Sequence, residues 1–237
     1  MTTKLATLLI ATTLLGSPPS QAEGLVDRLL GFLGISATPS QMKGPGEGIE
    51  SGEIWIVDLG AAKPRQVSGD TGYRWPVFAP NAKTILALRD ESILSISLPA
   101  GSPKLLHTIK GIQKLVGFAK DDEDKVLVLM ESEESASAIG VLSLASGRIT
   151  PVPHDAKQDR RLLTHLGGQE RVYGNTKLYL KAENKTSVTG AQLEWFDIYL
   201  KQGDAEPRPV SRCDGISCGQ PSLSSDGQQI VFIKGRP

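Results

Sequence analysis

The chain of 237 residues predicts an all-β fold assembled from one repeated four-stranded unit, and three features predict it. Short runs of β-branched and apolar residues recur, separated by Gly, Pro, Asp, Asn and Ser. Two kinds of hairpin alternate along the chain, and the two chain ends carry complementary halves of one unit. Four-stranded sheets repeated in series bury their faces against one another, which is the β-propeller arrangement.

The first kind of hairpin is written four times: IWIVDL from Ile54, ILSISL from Ile93, IGVLSL from Ile139 and FDIYLK from Phe196. Each run is followed by a turn (GAAKP, PAGSP, ASGR, QGDAEP) and a second short run (RQVS, KLLHTI, ITPVP, RPVS). The second kind starts at Pro76 (PVFAPNAKTILAL), Leu115 (LVGFAKDDEDKVLVL) and Pro221 (PSLSSDGQQIVFI), with a degenerate copy from Leu162 (LLTHLGGQERVYGNTKLYL). Asp226-Gly227 and Asn81-Ala82 fall where a tight turn needs residues tolerant of positive φ. Copies of the first hairpin start at 54, 93, 139 and 196, an irregular period near the roughly 40–50 residues of a propeller blade. The polar stretch KAENKTSVTGAQLE lengthens the last interval and carries no strand pattern, so it is expected to be an insertion.

The repeat also bears on closure. The chain begins with the second half of a blade, Ile54 to Ser68, and finishes with the first half of one, Pro221 to Ile233. Joined, the halves make one blade and remove exposed sheet edges. About four four-stranded blades result, with the Ile54 strand pairing with the blade of Ile230 to Ile233. A fifth blade would leave too few residues for each; an incomplete propeller is the alternative.

Outside the propeller, residues 53–237, two further segments are expected. Residues 1–22 carry Lys4, an apolar run from Leu5 to Leu15, a Pro-Pro break and Ser20-Gln21-Ala22. That order suits a signal peptide, and the run is too short to span a bilayer; a buried N-terminal helix is the other reading. No cysteine follows the run to take a lipid, so a soluble periplasmic or secreted protein is expected, without integral membrane insertion. Residues 23–52 read as a short amphipathic helix (Leu25, Leu29, Leu30, Phe32, Leu33) and a Gly/Pro/Ser-rich linker. Such a helix could dock on a partner or pack on its own domain.

The 26 basic and 26 acidic residues cancel. With no dense Lys/Arg stripe, nucleic acid is not an expected partner. The two cysteines, Cys213 and Cys218, are close enough in an exported chain to form a local disulfide. A metal site would need further ligands, and His107, His154 and His165 are scattered. No cofactor is expected.

PSLSSDGQQIVFI resembles the Pro-x-Trp-Ser-Pro-Asp-Gly-x-x-Ile-x-Phe signature of the TolB-type propeller repeat, a relative of the WD repeat. Pro221, Ser224, Asp226, Gly227, Ile230 and Phe232 sit at signature positions, while Leu223 replaces the aromatic and Ser225 the second proline. PVFAPNAKTILAL is a weaker copy, matching at Pro76, Phe78, Pro80 and Ile85 with Asn81-Ala82 in place of Asp-Gly. The resemblance runs from about residue 53 to the end and implies a non-catalytic, protein-binding propeller of the bacterial envelope. The family usually adds an N-terminal α/β domain, where this chain has a short helix and linker.

Candidate sites follow. GISCG fits the Gly-x-Ser-x-Gly nucleophile pattern at Ser217, but that elbow needs a strand before it and a helix after. Here the serine lies between the two cysteines and before a repeat strand, so no catalytic role is expected. The acidic run Asp121, Asp122, Glu123, Asp124 lacks the alternation of a calcium loop and reads as a solvated turn. Lys157, Arg160 and Arg161 read as a surface loop, and Asn184-Lys185-Thr186 fits a glycosylation acceptor. Trp55, Trp75 and Trp195 sit near strand starts; Trp55 is expected in the core, and Arg74 with Trp75 form the candidate partner surface near the channel. An enzyme site would need His, Asp or Glu facing the channel from several blades. The first-hairpin strands offer mostly Val, Phe, Leu and Ser, with only His165 from the degenerate copy. The expected function is a non-catalytic exported scaffold that binds an envelope or secreted protein; the alternative is a small-molecule-binding or hydrolytic propeller with its site at the channel. Oligomeric state stays open.

Overall fold

The computed structural model describes residues 49–61, 63–99, 101–118, 122–131, 138–151 and 170–236. The leader, the amphipathic stretch, Lys157, Arg160, Arg161 and His165 lie outside them. Every regular element of the described residues is a strand. In the first blade β3 (Tyr73–Phe78), β4 (Thr84–Arg89), β5 (Ser92–Ser97) and β6 (Lys104–Thr108) pair in chain order. The second blade is β7 (Ile112–Phe118), β8 (Lys125–Met130), β9 (Ala138–Ser143) and β10 (Ile149–Pro151). The third is β11 (Glu170–Tyr173), β12 (Thr176–Thr186), β13 (Gln192–Gln202) and β14 (Arg208–Pro209).

The fourth blade comes from both ends of the chain, as the sequence predicts. Its order is β15 (Cys218–Leu223), β16 (Gln229–Lys234), β1 (Glu53–Asp58) and β2 (Arg65–Gln66). Ile54 faces Ile233 and Val57 faces Ile230 across an antiparallel ladder. Alternation sends Ile54 and Ile56 into one interface and Val57 into the other, so both faces of this blade are buried.

Three buried clusters join neighbouring blades. Ile54, Ile56, Val231 and Ile233 pack on Tyr73, Phe78, Ile85 and Ile96 of the first blade. Phe232, Ile230 and Val57 pack on Leu178, Ile198 and Leu200 of the third. Leu86, Leu88 and Ile93 pack on Leu115, Val126, Val128 and Leu142 of the second. Among the described residues no such cluster joins the second blade to the third, which are linked through residues 152–169.

The repeated Val-Ser ending of RQVS and RPVS has a structural purpose. Ile54 N–H donates to Ser68 Oγ (2.9 Å) and Ile198 N–H donates to Ser211 Oγ (2.8 Å). In each blade the hydroxyl stands in where the short outer strand ends, satisfying a buried N–H.

The signature turns also behave as the sequence indicates. Gly227 has φ +70° and Ala82 φ +53°. Asp226 Oδ1 accepts from Ser224 Oγ and from Gln228 N–H (3.0 Å), and the Ser224 bond, then the backbone bond, hold its carboxyl below the ordinary range. Alanine lacks that ease in the left-handed region. Ala82→Gly is therefore expected to raise stability by about 0.5–1 kcal/mol, read as a higher urea midpoint at unchanged m-value.

One expectation needs correction. The stretch from Lys181 to Glu194 is the end of a hairpin rather than a stretch without strands: β12 and β13 pair from Thr176↔Gln202 to Thr186↔Gln192, with a turn over residues 187–191. Its polar residues give no strand signal because this part of the ribbon is mostly exposed, and the backbone ladder holds it, joined by polar side-chain contacts such as Tyr199 O–H to Glu183 and Gln192 Nε2 to Thr186. The degenerate hairpin does form, as β11 and β12 around the Gly174-Asn175 turn, with Gly174 at φ +58°; Leu162 lies outside the described residues.

Candidate functional site

The first strands β15, β3 and β7 lie side by side at the inner edge of their blades. They begin earlier than the sequence suggests, at Cys218, Tyr73 and Ile112 rather than at Pro221, Pro76 and Leu115. All three strands carry register shifts, and in two of them the shift falls at a proline. Pairing shifts register between Arg74 and Val77 in β3, and between Gly219 and Ser222 in β15. Trp75 and Gln220, each just before a proline, have φ of +51° and +55°. A proline inside a strand breaks the strand signal, and the bulge accommodates its missing N–H.

The two bulges are tied together. Trp75 N–H donates to Gln220 Oε1, while Gln220 Nε2 donates to the carbonyls of Ile49 (3.0 Å) and Glu50 (3.3 Å). Gln220 is 1% exposed, so one buried amide joins the first blade, the closing blade and the segment leading into β1. Ile49, at the end of the stretch read as linker, is itself buried in the first cluster.

Around this amide, buried and half-buried cationic and aromatic side chains gather. Lys114 Nζ sits 4.1 Å over the Trp75 ring, a placement that offsets part of the cost of burying the ammonium. Arg74 Nη2 donates to the Asp90 carbonyl (2.8 Å) and is half-buried. Arg89 lies 5.5 Å over Tyr73 and pairs with Asp70 at 3.2 Å. Burial pushes the Tyr73 phenol above its ordinary value, with Arg89 opposing. The sequence candidates Arg74 and Trp75 lie in β3, where Trp75 contacts Lys114 and Gln220. Gln220 had one signal in the sequence: it precedes Pro221 as Trp75 precedes Pro76.

The other sequence candidates are placed as follows. Cys213 and Cys218 form a disulfide with Cα atoms 6.1 Å apart, and both are buried. Ser217 Oγ accepts from Phe196 N–H (3.3 Å), and strand β15 follows it rather than a helix. Asp124 accepts from Ser143 Oγ (2.8 Å) and Ala145 N–H (2.6 Å), and Asp122 pairs with Lys125 at 2.7 Å. Asp124 fastens the turn to β9, and Asp122 closes the turn on Asp124 N–H and Lys125. Trp55 and Trp195 pack on the core between the closing and third blades. Among the described residues no cluster of three or more His, Cys, Asp or Glu is arranged to hold a metal. Signature residues Pro76, Phe78, Ile85, Pro221, Ser224, Ile230 and Phe232 sit in or beside the paired strands, and Pro80 sits in the β3–β4 turn.

The fold and this inner rim define an all-β propeller of four four-stranded blades, closed by strands from both chain ends. No family profile and no curated protein matches the chain. Solved structures do. A TolB from Agrobacterium tumefaciens is 18% identical at a TM-score of 0.38, covering 77% of this chain and 61% of its own. TolB from Acinetobacter baumannii is 19% identical at 0.37, covering 92% and 53%. The β-propeller domain of the trilobed protease from Pyrococcus furiosus, described as having an open velcro topology, is 14% identical at 0.32, covering 78% and 71%. The chain thus spans 61% and 53% of the two TolB chains it is similar to.

Proposed function

We propose that this protein is a non-catalytic propeller, exported to the periplasm or secreted, that binds another protein through the inner rim around Arg74 and Trp75. The observation that carries the reading is the stacking of Lys114 on Trp75 beside the Gln220 bridge, with Arg74 next to Trp75 in β3. Arginine and tryptophan are the side chains that most often anchor protein interfaces, because they offer area, charge and little flexible bulk. The rim is held in place by buried hydrogen bonds, so little ordering cost falls on binding. The leader-like residues 1–22 support export. The alternative, a small-molecule or hydrolytic site at the channel, is less well supported, because Ser217 is held in a disulfide loop as a hydrogen-bond acceptor.

Cross-linking in the native exported compartment, followed by mass spectrometry, tests this proposal. A reproducible protein partner is expected, and Arg74→Glu or Trp75→Ala should weaken its capture about tenfold, the cost of losing one interface anchor. Thermal unfolding of the same variants checks that they remain folded. Undiminished capture by both variants removes the rim from the interface, and recovery of the protein alone removes the scaffold reading.

A further inference from the structure

His107 reaches out of its own blade. It sits in β6 opposite Ile93, which is buried in the cluster between the first and second blades. Opposed residues share a face of the sheet, so the imidazole also turns toward the second blade. There its Nε2–H donates to the Leu144 carbonyl (2.6 Å) in the β9–β10 turn. The ring lies against Gly147, where a β-carbon would stand 2.7 Å from Nδ1 and 3.0 Å from Cε1. Gly147 also has φ +69°, so glycine is needed there both for the backbone and for the ring.

The turn that receives the histidine is held by its own blade. Asp124 Oδ1 accepts from Ala145 N–H (2.6 Å), its Oδ2 from Ser143 Oγ (2.8 Å), and its carbonyl from Leu144 N–H (2.7 Å). Gly147 N–H closes the turn on the Ser143 carbonyl (2.8 Å). Leu144 is thus fixed through its N–H while its carbonyl takes the imidazole. Leu106, beside His107, and Leu144 and Ile149, at the two ends of the turn, pack on the same buried cluster. Two pieces 37 residues apart therefore share one apolar floor and one hydrogen bond.

We propose that His107, Leu144 and Gly147 form a latch that makes β6 of the first blade and the β9–β10 turn of the second open and close as one unit, with Asp124 positioning the turn. Each piece has few ladder pairs of its own, four for β6 and three for β10. Elements of that kind open locally at a fraction of the cost of global unfolding. Opening either piece removes the bond on which the other depends and leaves a half-buried carbonyl or imidazole without it.

Hydrogen exchange of the full chain, read amide by amide at rising low urea concentrations, tests this. In the wild type, residues 104–109 and 144–149 should share one opening equilibrium, distinct from that of β4 and β8. His107→Ala should raise exchange in both segments about tenfold, the loss of one hydrogen bond, and leave β4 and β8 within about twofold. Gly147→Ala should raise exchange at least about threefold more in the wild type than in the His107→Ala background, where only the φ strain remains. Asp124→Ala should act on both segments as His107→Ala does, and Asp124→Asn, which keeps an acceptor for Ala145 N–H, should restore most of the protection. Wild-type segments that open with different urea dependence overturn the latch. So does a rise confined to one segment in His107→Ala, or an equal Gly147→Ala effect in the two backgrounds.

Discussion

Replacing Phe232 by alanine is expected to cost about 3–5 kcal/mol, the range for deleting a buried phenylalanine from a packed core. Phe232 is fully buried, faces Trp55 across the closing ladder and belongs to the cluster that joins the closing blade to the third. The cost combines lost transfer energy with a cavity that strands on both sides are too constrained to fill. A melting temperature lower by about 6–20 °C follows for a domain of this size. Leu105→Ala is the control: Leu105 is 56% exposed on an outer strand, and a change within about 0.5 kcal/mol is expected there. Equal losses at the two positions would mean that the ends of the chain do not form this blade.

Asp197→Ala should cost about 3 kcal/mol, because it strands three donors at once. Asp197 is buried; its Oδ1 accepts from Ser211 Oγ (2.6 Å) and Cys213 N–H (2.7 Å), and its Oδ2 accepts from Trp195 Nε1–H (2.9 Å). One carboxylate thus ties β13 to the start of the disulfide loop and orients Trp195. Asp197→Asn can keep the Oδ1 acceptor but presents an amide N–H to Trp195. An intermediate loss of about 1–2 kcal/mol is expected for it. Urea unfolding of both variants decides the matter: if alanine costs no more than asparagine, the hydrogen-bond account is wrong.

Most of the architecture was legible because repetition is a property of the sequence itself. Ile54, Ile93, Ile139 and Phe196 each open a run whose alternation and following turn recur, and each lies in the third strand of a blade. Closure was legible too, since the two half-units at the ends have no other partner of matching type. The outer half of the β12–β13 ribbon was not. From Lys181 to Thr186 and from Gln192 to Glu194 its residues are mostly exposed, and the tight Ser187–Ala191 closure and the backbone ladder hold the strands where composition does not.

The site divides the same way. Arg74 and Trp75 could be named from the repeat, because position in the unit puts them near the channel. Lys114 and Gln220 could not, because their roles depend on which blades meet. Nothing local says that an amide in β15 will accept from Trp75 N–H, or that Lys114 will stack on that indole.

The sequence by itself therefore determined the four-stranded unit, its turns and the blade made from both ends, since strand period, turn residues and repeat spacing are local signals. Only the tertiary structure decided the bulges before Pro76 and Pro221, the Gln220 bridge and the Asp197 anchor. Each of these depends on hydrogen bonds between residues distant in the chain, whose donors and acceptors find their partners only after the sheets have packed.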